Sequence, residues 1–209
     1  MPRFFLLLIL SLPAWAVASP TILVYGDSLS AAYGIPRDQG WVELLQRRLN
    51  EQGYSHRVAN ASVSGETTSG GLSRFDAALQ EARPDLVIIE LGANDGLRGL
   101  PVADMKRNLV SMVKAARQRQ AEVMLLGMRI PPNYGPIYTR EFTNAFQQVA
   151  SEYKLPLVPF FLDGVAGQRD LILDDGLHPS AAAQGKLLDN VWEELEPMLG
   201  KPVNRASSR

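Results

Sequence analysis

Apolar residues follow two alternating rhythms along the chain. Short runs rich in β-branched and aliphatic residues occur at Thr21 to Tyr25, Asp85 to Glu90 (DLVIIE), Glu122 to Gly127 (EVMLLG) and Leu155 to Pro159 (LPLVP), with a weaker one at His56 to Asn60. Runs of this length without polar alternation fit strands buried on both faces. Between them the apolar spacing becomes helical. Trp41 to Gln52 puts Trp41, Leu44, Leu45 and Leu49 on one face, and Val102 to Arg119 does so with Leu109, Met112, Val113 and Ala116. Leu72 to Ala82, Thr139 to Tyr153 (Phe142, Phe146, Val149) and Ser180 to Leu199 (Leu187, Leu188, Val191, Trp192, Leu195) complete the helices. Ser180, directly after Pro179, is placed to start the last one.

Five alternations of strand and helix predict an α/β fold of three α/β/α layers, a five-stranded parallel sheet with helices on both faces and right-handed crossovers. The expected strand order is the flavodoxin-like 2-1-3-4-5. Its switch point lies beside strand 1, so a ligand belongs at the carboxyl ends of strands 1, 2 and 3.

Composition narrows the possibilities. The 209 residues include two histidines and no cysteine, with a formal net charge of −1. A chain without cysteine has no disulfide framework, thiolate nucleophile or thiolate metal site. Charges of both signs are interspersed, leaving no basic footprint for nucleic acid or for an anionic membrane surface. At the start, Arg3, a short apolar run and Ala16-Val17-Ala18 form a secretory signal pattern. That run is shorter than the about 20 residues a spanning helix needs. The expectation is a signal peptide over 1–18, one domain over 19–200, and a disordered polar tail over 201–209. The mature protein is expected to be exported, to the periplasm or the medium, as a monomer without a stable membrane anchor.

Three loops leave the carboxyl ends of strands 1, 2 and 3: Gly26-Asp-Ser-Leu-Ser30, Ala61-Ser-Val-Ser-Gly-Glu-Thr-Thr68 and Gly92-Ala-Asn-Asp-Gly96. Ser28 is expected where a strand gives way to a helix, its hydroxyl facing the crevice and its N–H among the unpaired donors of a helix start. Gly65 allows close backbone approach, and Asn94 brings a side-chain N–H pair. The N–H of Ser28, the N–H of Gly65 and the Asn94 amide together could form an oxyanion hole. A serine nucleophile needs a base. His56 opens the weak second strand at the end away from the crevice. His178, in Leu173-Asp-Asp-Gly-Leu-His-Pro179, lies in a loop before the last helix, where catalytic groups are commonly carried. Asp175 can fold back to orient its ring, and Gly176 permits the tight turn, although Asp174 is an alternative partner.

GDSLS at 26–30, Gly65 in SVSGETT, Asn94 in LGAND, and Asp175 and His178 in DGLHP resemble, in order and spacing, the four blocks of the SGNH hydrolases, a branch of the GDSL lipase and esterase family. NASVSGETTSGG, VIIELGANDGLRG and PPNYGPIY are similar to its bacterial acyl-CoA thioesterase I and lysophospholipase subgroup. The resemblance implies Ser28 as nucleophile, Gly65 and Asn94 as oxyanion donors, Asp175 and His178 as the rest of a triad, and an SGNH hydrolase fold. It implies hydrolysis of acyl esters and thioesters through an acyl-enzyme, with small-molecule acyl substrates and no cofactor. Ala93 departs from the glycine common in the subgroup and adds a methyl group beside the oxyanion loop.

Neighbouring residues have plainer readings. Asp27 is expected to cap or stabilise its loop and Ser30 to bond locally. The glycines of SGETTSGG lack the lysine of a phosphate loop, Asn60-Ala-Ser62 is a formal glycosylation sequon, and no carboxylates cluster into a metal site. For the acyl chain, an apolar groove of Leu97, Leu100, Ile130, Pro132 and Tyr134 is expected beside Ser28. An arylesterase or carbohydrate O-acetylesterase, and a non-catalytic lipid- or glycan-binding module, are the competing readings.

Overall fold

The structure, a computed structural model, describes residues 19–202. The expected signal peptide, and the expected tail beyond its first two residues, lie outside the described residues. Five parallel strands, β1 (Thr21–Gly26), β2 (Arg57–Asn60), β3 (Leu86–Glu90), β4 (Glu122–Leu126) and β5 (Leu157–Val158), pair in the order β2-β1-β3-β4-β5. Every residue of β1 and β3 is buried, which is why these strands lack polar alternation.

Among the described residues six α-helices cover the sheet: α1 (Trp41–Glu51), α2 (Thr68–Ala82), α3 (Ala93–Leu97), α4 (Val102–Gln118), α5 (Pro136–Tyr153) and α6 (Gln184–Leu195). α1 packs against α6, while α4 packs against both α2 and α5. Trp41, Leu45 and Leu49 of α1, Leu109, Met112 and Val113 of α4, and Leu187 and Val191 of α6 are buried in one continuous core with the strands.

Four local differences from the sequence reading have physical causes. No helix begins after β1: residues 27–34 form turns, and α1 starts only at Trp41. The Asp27 carboxylate accepts from the N–H of Leu29 at 3.0 Å, favouring a turn, and Ala32 takes a left-handed φ of 58° that ends the single helical turn closed by Ala31 N–H on the Asp27 carbonyl. α2 starts four residues before Leu72, because Thr67 caps it by accepting from Gly70 N–H. β5 shrinks to two residues between Pro156 and Pro159, which have no N–H for a ladder. The last helical segment, expected unbroken over Ser180 to Leu199, is a 3-10 turn at Ala181–Ala183, then α6, then a second 3-10 turn at Glu196–Met198 containing Pro197.

β1 lies between β2 and β3, so the loops after these three strands emerge side by side. The Leu171 to Ser180 segment reaches the same edge as a small antiparallel hairpin. Ile172 bridges Pro179, Leu173 N–H donates to the His178 carbonyl at 2.8 Å, and Ser180 N–H donates to the Leu171 carbonyl at 2.8 Å.

Candidate active site

Ser28 stands on the turn after β1, its Oγ 2.9 Å from Nε2 of His178. On the other side of the ring, Nδ1 lies 2.7 Å from Oδ2 of Asp175. With the Nδ1 proton donated to that carboxylate, Nε2 is free to accept from the serine hydroxyl. The other Asp175 oxygen accepts from the backbone N–H groups of Leu177 and His178, both at 2.9 Å. Gly176, at φ 71°, closes the turn that makes these short-range bonds possible. The backbone N–H of His178, its ring and the Leu177 N–H hold the Asp175 carboxyl down at about 2, so it stays ionised across the neutral range. Asp174 is exposed and has no such bonds. His56 lies before β2, its Nδ1 buried without a partner among the described residues.

Gly65 and Asn94 meet Ser28 from the neighbouring loops, and all three line one cavity. Gly65 has a φ of 79°, a left-handed conformation that glycine adopts without strain. The N–H groups of Ser28 and Gly65 donate to no other group among the described residues. Asn94 is the second residue of α3, a five-residue helix read from sequence only as a loop because small and polar residues compose it. Its Nδ2 donates one proton to Oδ2 of Asp27 at 2.9 Å, leaving a second for a ligand. Ala93 also lines the cavity.

Behind the serine lies a buried polar network that the sequence did not disclose. Asp27 is fully buried, and besides capping its own loop it orients Asn94. Its backbone N–H donates to Oε2 of Glu90 at 3.3 Å, and Ser30 O–H donates to the same oxygen at 2.7 Å. Ser30 therefore bonds across the fold, not locally, and its Oγ also accepts from Trp41 Nε1. Gly26 makes room: a Cβ there would lie 2.6 Å from the Glu90 carboxyl. Burial raises the Asp27 carboxyl to about 6 and pushes Glu90 well above the usual carboxylate range, with Asp27 adding to the upward shift of Glu90. Asn60 is likewise engaged, donating to the Ser30 carbonyl and accepting from Ser62 N–H.

The cavity measures about 620 Å³. Leu97 and Ile130 line it as expected. Leu100, Pro132 and Tyr134 do not, so the expected groove is corrected. Tyr134 instead donates its hydroxyl to the Leu97 carbonyl at 2.7 Å, bracing the wall from behind, and the Leu100 carbonyl accepts from Tyr138. The wall is completed by Met128 after β4, by Phe160 and Leu162 after β5, and by Ile172 and Leu177 of the hairpin. Phe160 and Leu162 were missed because the expected groove drew only on the loops after strands 3 and 4, although the apolar LPLVPFFL run continues straight past β5. Tyr33, also missed, lines the cavity with its ring centroid 4.4 Å from that of His178, the two planes tilted by 37°. No cluster of three or more metal-ligating side chains occurs among the described residues.

The strand order, together with the loops that it aligns, sets the chain among the SGNH hydrolases. It belongs to the GDSL-like lipase/acylhydrolase family, whose sequence model matches residues 24–186. Esterase TesA of Pseudomonas aeruginosa is 53% identical over 182 residues, covering 87% of this chain and 90% of the relative. An arylesterase of Vibrio mimicus is 42% identical, covering 91% of this chain and 95% of its own. Thioesterase 1/protease 1/lysophospholipase L1 of Escherichia coli K12 is 36% identical, with coverage of 88% and 87%. Among solved structures, the psychrotrophic esterase EstA from Pseudoalteromonas sp., inhibited by monoethylphosphonate, superposes with a TM-score of 0.83 at 43% identity, covering 88% of this chain and all of the other.

Proposed function

We propose that this chain is a serine hydrolase of acyl esters and thioesters that works through an acyl-enzyme on Ser28. The observation that carries the reading is the unbroken series from Ser28 Oγ through His178 to Asp175, opening into the cavity that Gly65 and Asn94 also line. His178 Nε2 takes the hydroxyl proton as Oγ attacks the acyl carbonyl, and Asp175 stabilises the imidazolium that results. The N–H groups of Ser28 and Gly65, with the spare Asn94 proton, donate to the developing oxyanion. His178 then protonates the departing alcohol or thiol. Water repeats the cycle on the acyl-enzyme, releasing the acid.

The apolar wall of Met128, Ile130, Phe160 and Leu162 supports a fatty acyl group in the cavity. Export, with the signal peptide ending at Ala18, makes lysophospholipids and other fatty acyl esters the substrates that the mature chain would meet. Among the described residues no helix is long and apolar enough to cross a membrane. The test is hydrolysis of nitrophenyl esters and an acyl-pantetheine thioester by the purified mature chain and its Ser28→Ala variant. Wild-type turnover of both classes, lost by several orders of magnitude in the variant, supports the reading. Retention of more than about a tenth of the activity in Ser28→Ala contradicts it.

A further inference from the structure

The cavity is chemically lopsided. Across the sheet order, the side beyond β3 is formed by Met128 and Ile130 after β4 and by Phe160 and Leu162 after β5. The opposite side, after β2, is formed by Ser64 and Gly65. Strands are spaced about 4.8 Å apart, so the β2 and β4 sides stand roughly 14 Å apart with Ser28 and Asn94 between them. An acyl chain laid along the apolar side sends the leaving group toward Ser64 and Gly65.

Arg98 is exposed just outside the cavity lining on that side, bonded to Gly65, which does line it. It caps the C-terminal end of α3, one turn after Asn94, and its backbone N–H donates to the Asn94 carbonyl at 3.2 Å. Its Nη2 donates to the Gly65 carbonyl at 2.9 Å, so one arginine bridges the loops of the two outer oxyanion donors. That bond uses one of five guanidinium donors. No carboxylate lies within ion-pair distance of Arg98 among the described residues. The carboxylates near the site are otherwise committed: Glu66 to Arg74, Asp175 to His178, Asp27 to Asn94 and Asp95 to Thr68. Arg129, the arginine that lines the cavity, belongs to the acyl side, where its guanidinium sits 4.7 Å from the Phe160 ring centroid.

We propose that Arg98 is a specificity-determining residue that binds an anionic oxygen group on the leaving portion of the substrate, selecting esters whose alcohol carries a phosphodiester close to the scissile bond. A bidentate guanidinium already tied at one corner holds such a group with little further ordering. The assignment rests on the acyl hydrolase reading above and adds a direction to it: acyl chain toward β5, charged headgroup toward β2.

The test compares kcat/KM for decanoyl lysophosphatidylglycerol with that for 1-decanoylglycerol, which shares acyl chain and ester but lacks the phosphodiester. Decanoyl-CoA provides phosphate held a full pantetheine arm from the reacting carbonyl. Wild type is expected to favour the lysophospholipid over the neutral glyceride by about 10-fold or more, the range of a charge-assisted hydrogen bond. Arg98→Gln, which retains a donor for the Gly65 carbonyl, is expected to abolish that ratio mainly through KM, whatever common loss a loosened Gly65 loop imposes on all three substrates. Arg98→Lys should restore part of it. A ratio unchanged by Arg98→Gln overturns the proposal, as does loss of the ratio in Arg129→Gln instead. A preference for decanoyl-CoA that disappears with Arg98 would move the anion beyond the predicted reach and overturn the short-range reading. If wild type hydrolyses none of the three, the acyl hydrolase reading itself fails, a result separate from any effect at Arg98.

Discussion

Replacing Asp27 by asparagine probes the network behind the nucleophile with almost no change of shape. In the native site Oδ1 accepts from Leu29 N–H at 3.0 Å and Oδ2 from Asn94 Nδ2 at 2.9 Å, so both side-chain oxygens are acceptors. An amide offers one acceptor. If its oxygen serves Leu29, its NH₂ confronts that of Asn94, which must turn its own oxygen toward the cavity where the oxyanion needs a donor. If it serves Asn94, the buried Leu29 N–H is stranded at about 1–3 kcal/mol and the Ser28 turn loosens. The lost carboxylate charge acts in opposite senses on the oxyanion and on the His178 imidazolium, so the geometric loss governs. Losing one oxyanion donor costs about 10² to 10³ in kcat, and because the bond is made in the transition state, KM should barely move. The assay is a double-mutant cycle on a short-chain nitrophenyl ester with Asp27→Asn, Asn94→Ala and the pair, circular dichroism checking the fold. Since Asp27 acts through Asn94, the double variant should lose no more than about 10-fold beyond the worse single one. Losses that multiply, or an Asp27→Asn enzyme retaining more than a third of wild-type kcat, would refute the reasoning.

The remaining expectations concern the base, the buried acid, the acyl wall and Gly65. Asp175→Asn should lower kcat by about 10⁴, by the behaviour of such triads, while Asp174→Asn stays within about twofold; comparable losses would reopen the choice between them. Burial raises the folded-state pKa of Glu90, so the unfolded chain gives up this proton first and stability drains away as pH climbs from the usual carboxylate value to the raised one. Urea melts at pH 5 and pH 8 should therefore show a smaller alkaline decline in Glu90→Gln than in wild type, and parallel declines would deny the buried acid its part. Phe160→Ser and Leu162→Ser should depress kcat/KM on dodecanoyl esters far more than on butanoyl esters, each lost methylene contact being worth up to about 0.8 kcal/mol; equal losses would place the chain elsewhere. Gly65→Ala meets nothing closer than the Arg98 guanidinium at 3.8 Å, so its harm is conformational. Enforcing a left-handed φ on alanine costs about 1–2 kcal/mol, seen as lowered urea stability together with lowered kcat, and an unaffected variant would show that Gly65 bears no such constraint.

Legibility in the sequence followed the range of the interactions. β1 and β3 could be read directly because strands covered on both faces need uninterrupted apolar residues, and the parallel sheet followed from the alternation of elements, its order being the common one for a doubly wound sheet of this size. Asp175 and His178 were legible because their pairing is made within three residues and needs only the Gly176 turn. The Ser28 turn was misjudged as a helix start because the turn is favoured by the Asp27 carboxylate, a side-chain preference that apolar spacing does not encode. Glu90 looked like the polar end of a strand; its partners Asp27 and Ser30 lie 63 and 60 residues away, where no local pattern reaches. Tyr134 looked like a groove residue for its aromatic ring, but the hydroxyl bond to Leu97 turns it into a brace.

The most direct trial of the central claim is to expose the folded mature chain to a fluorophosphonate and locate the adduct by peptide mass spectrometry. One phosphonyl group per chain on Ser28, formed at a rate that collapses in His178→Ala and absent from Ser28→Ala, is the predicted result. An active preparation whose Ser28 stays unmodified, or whose label sits on another residue while hydrolysis stops, would contradict it.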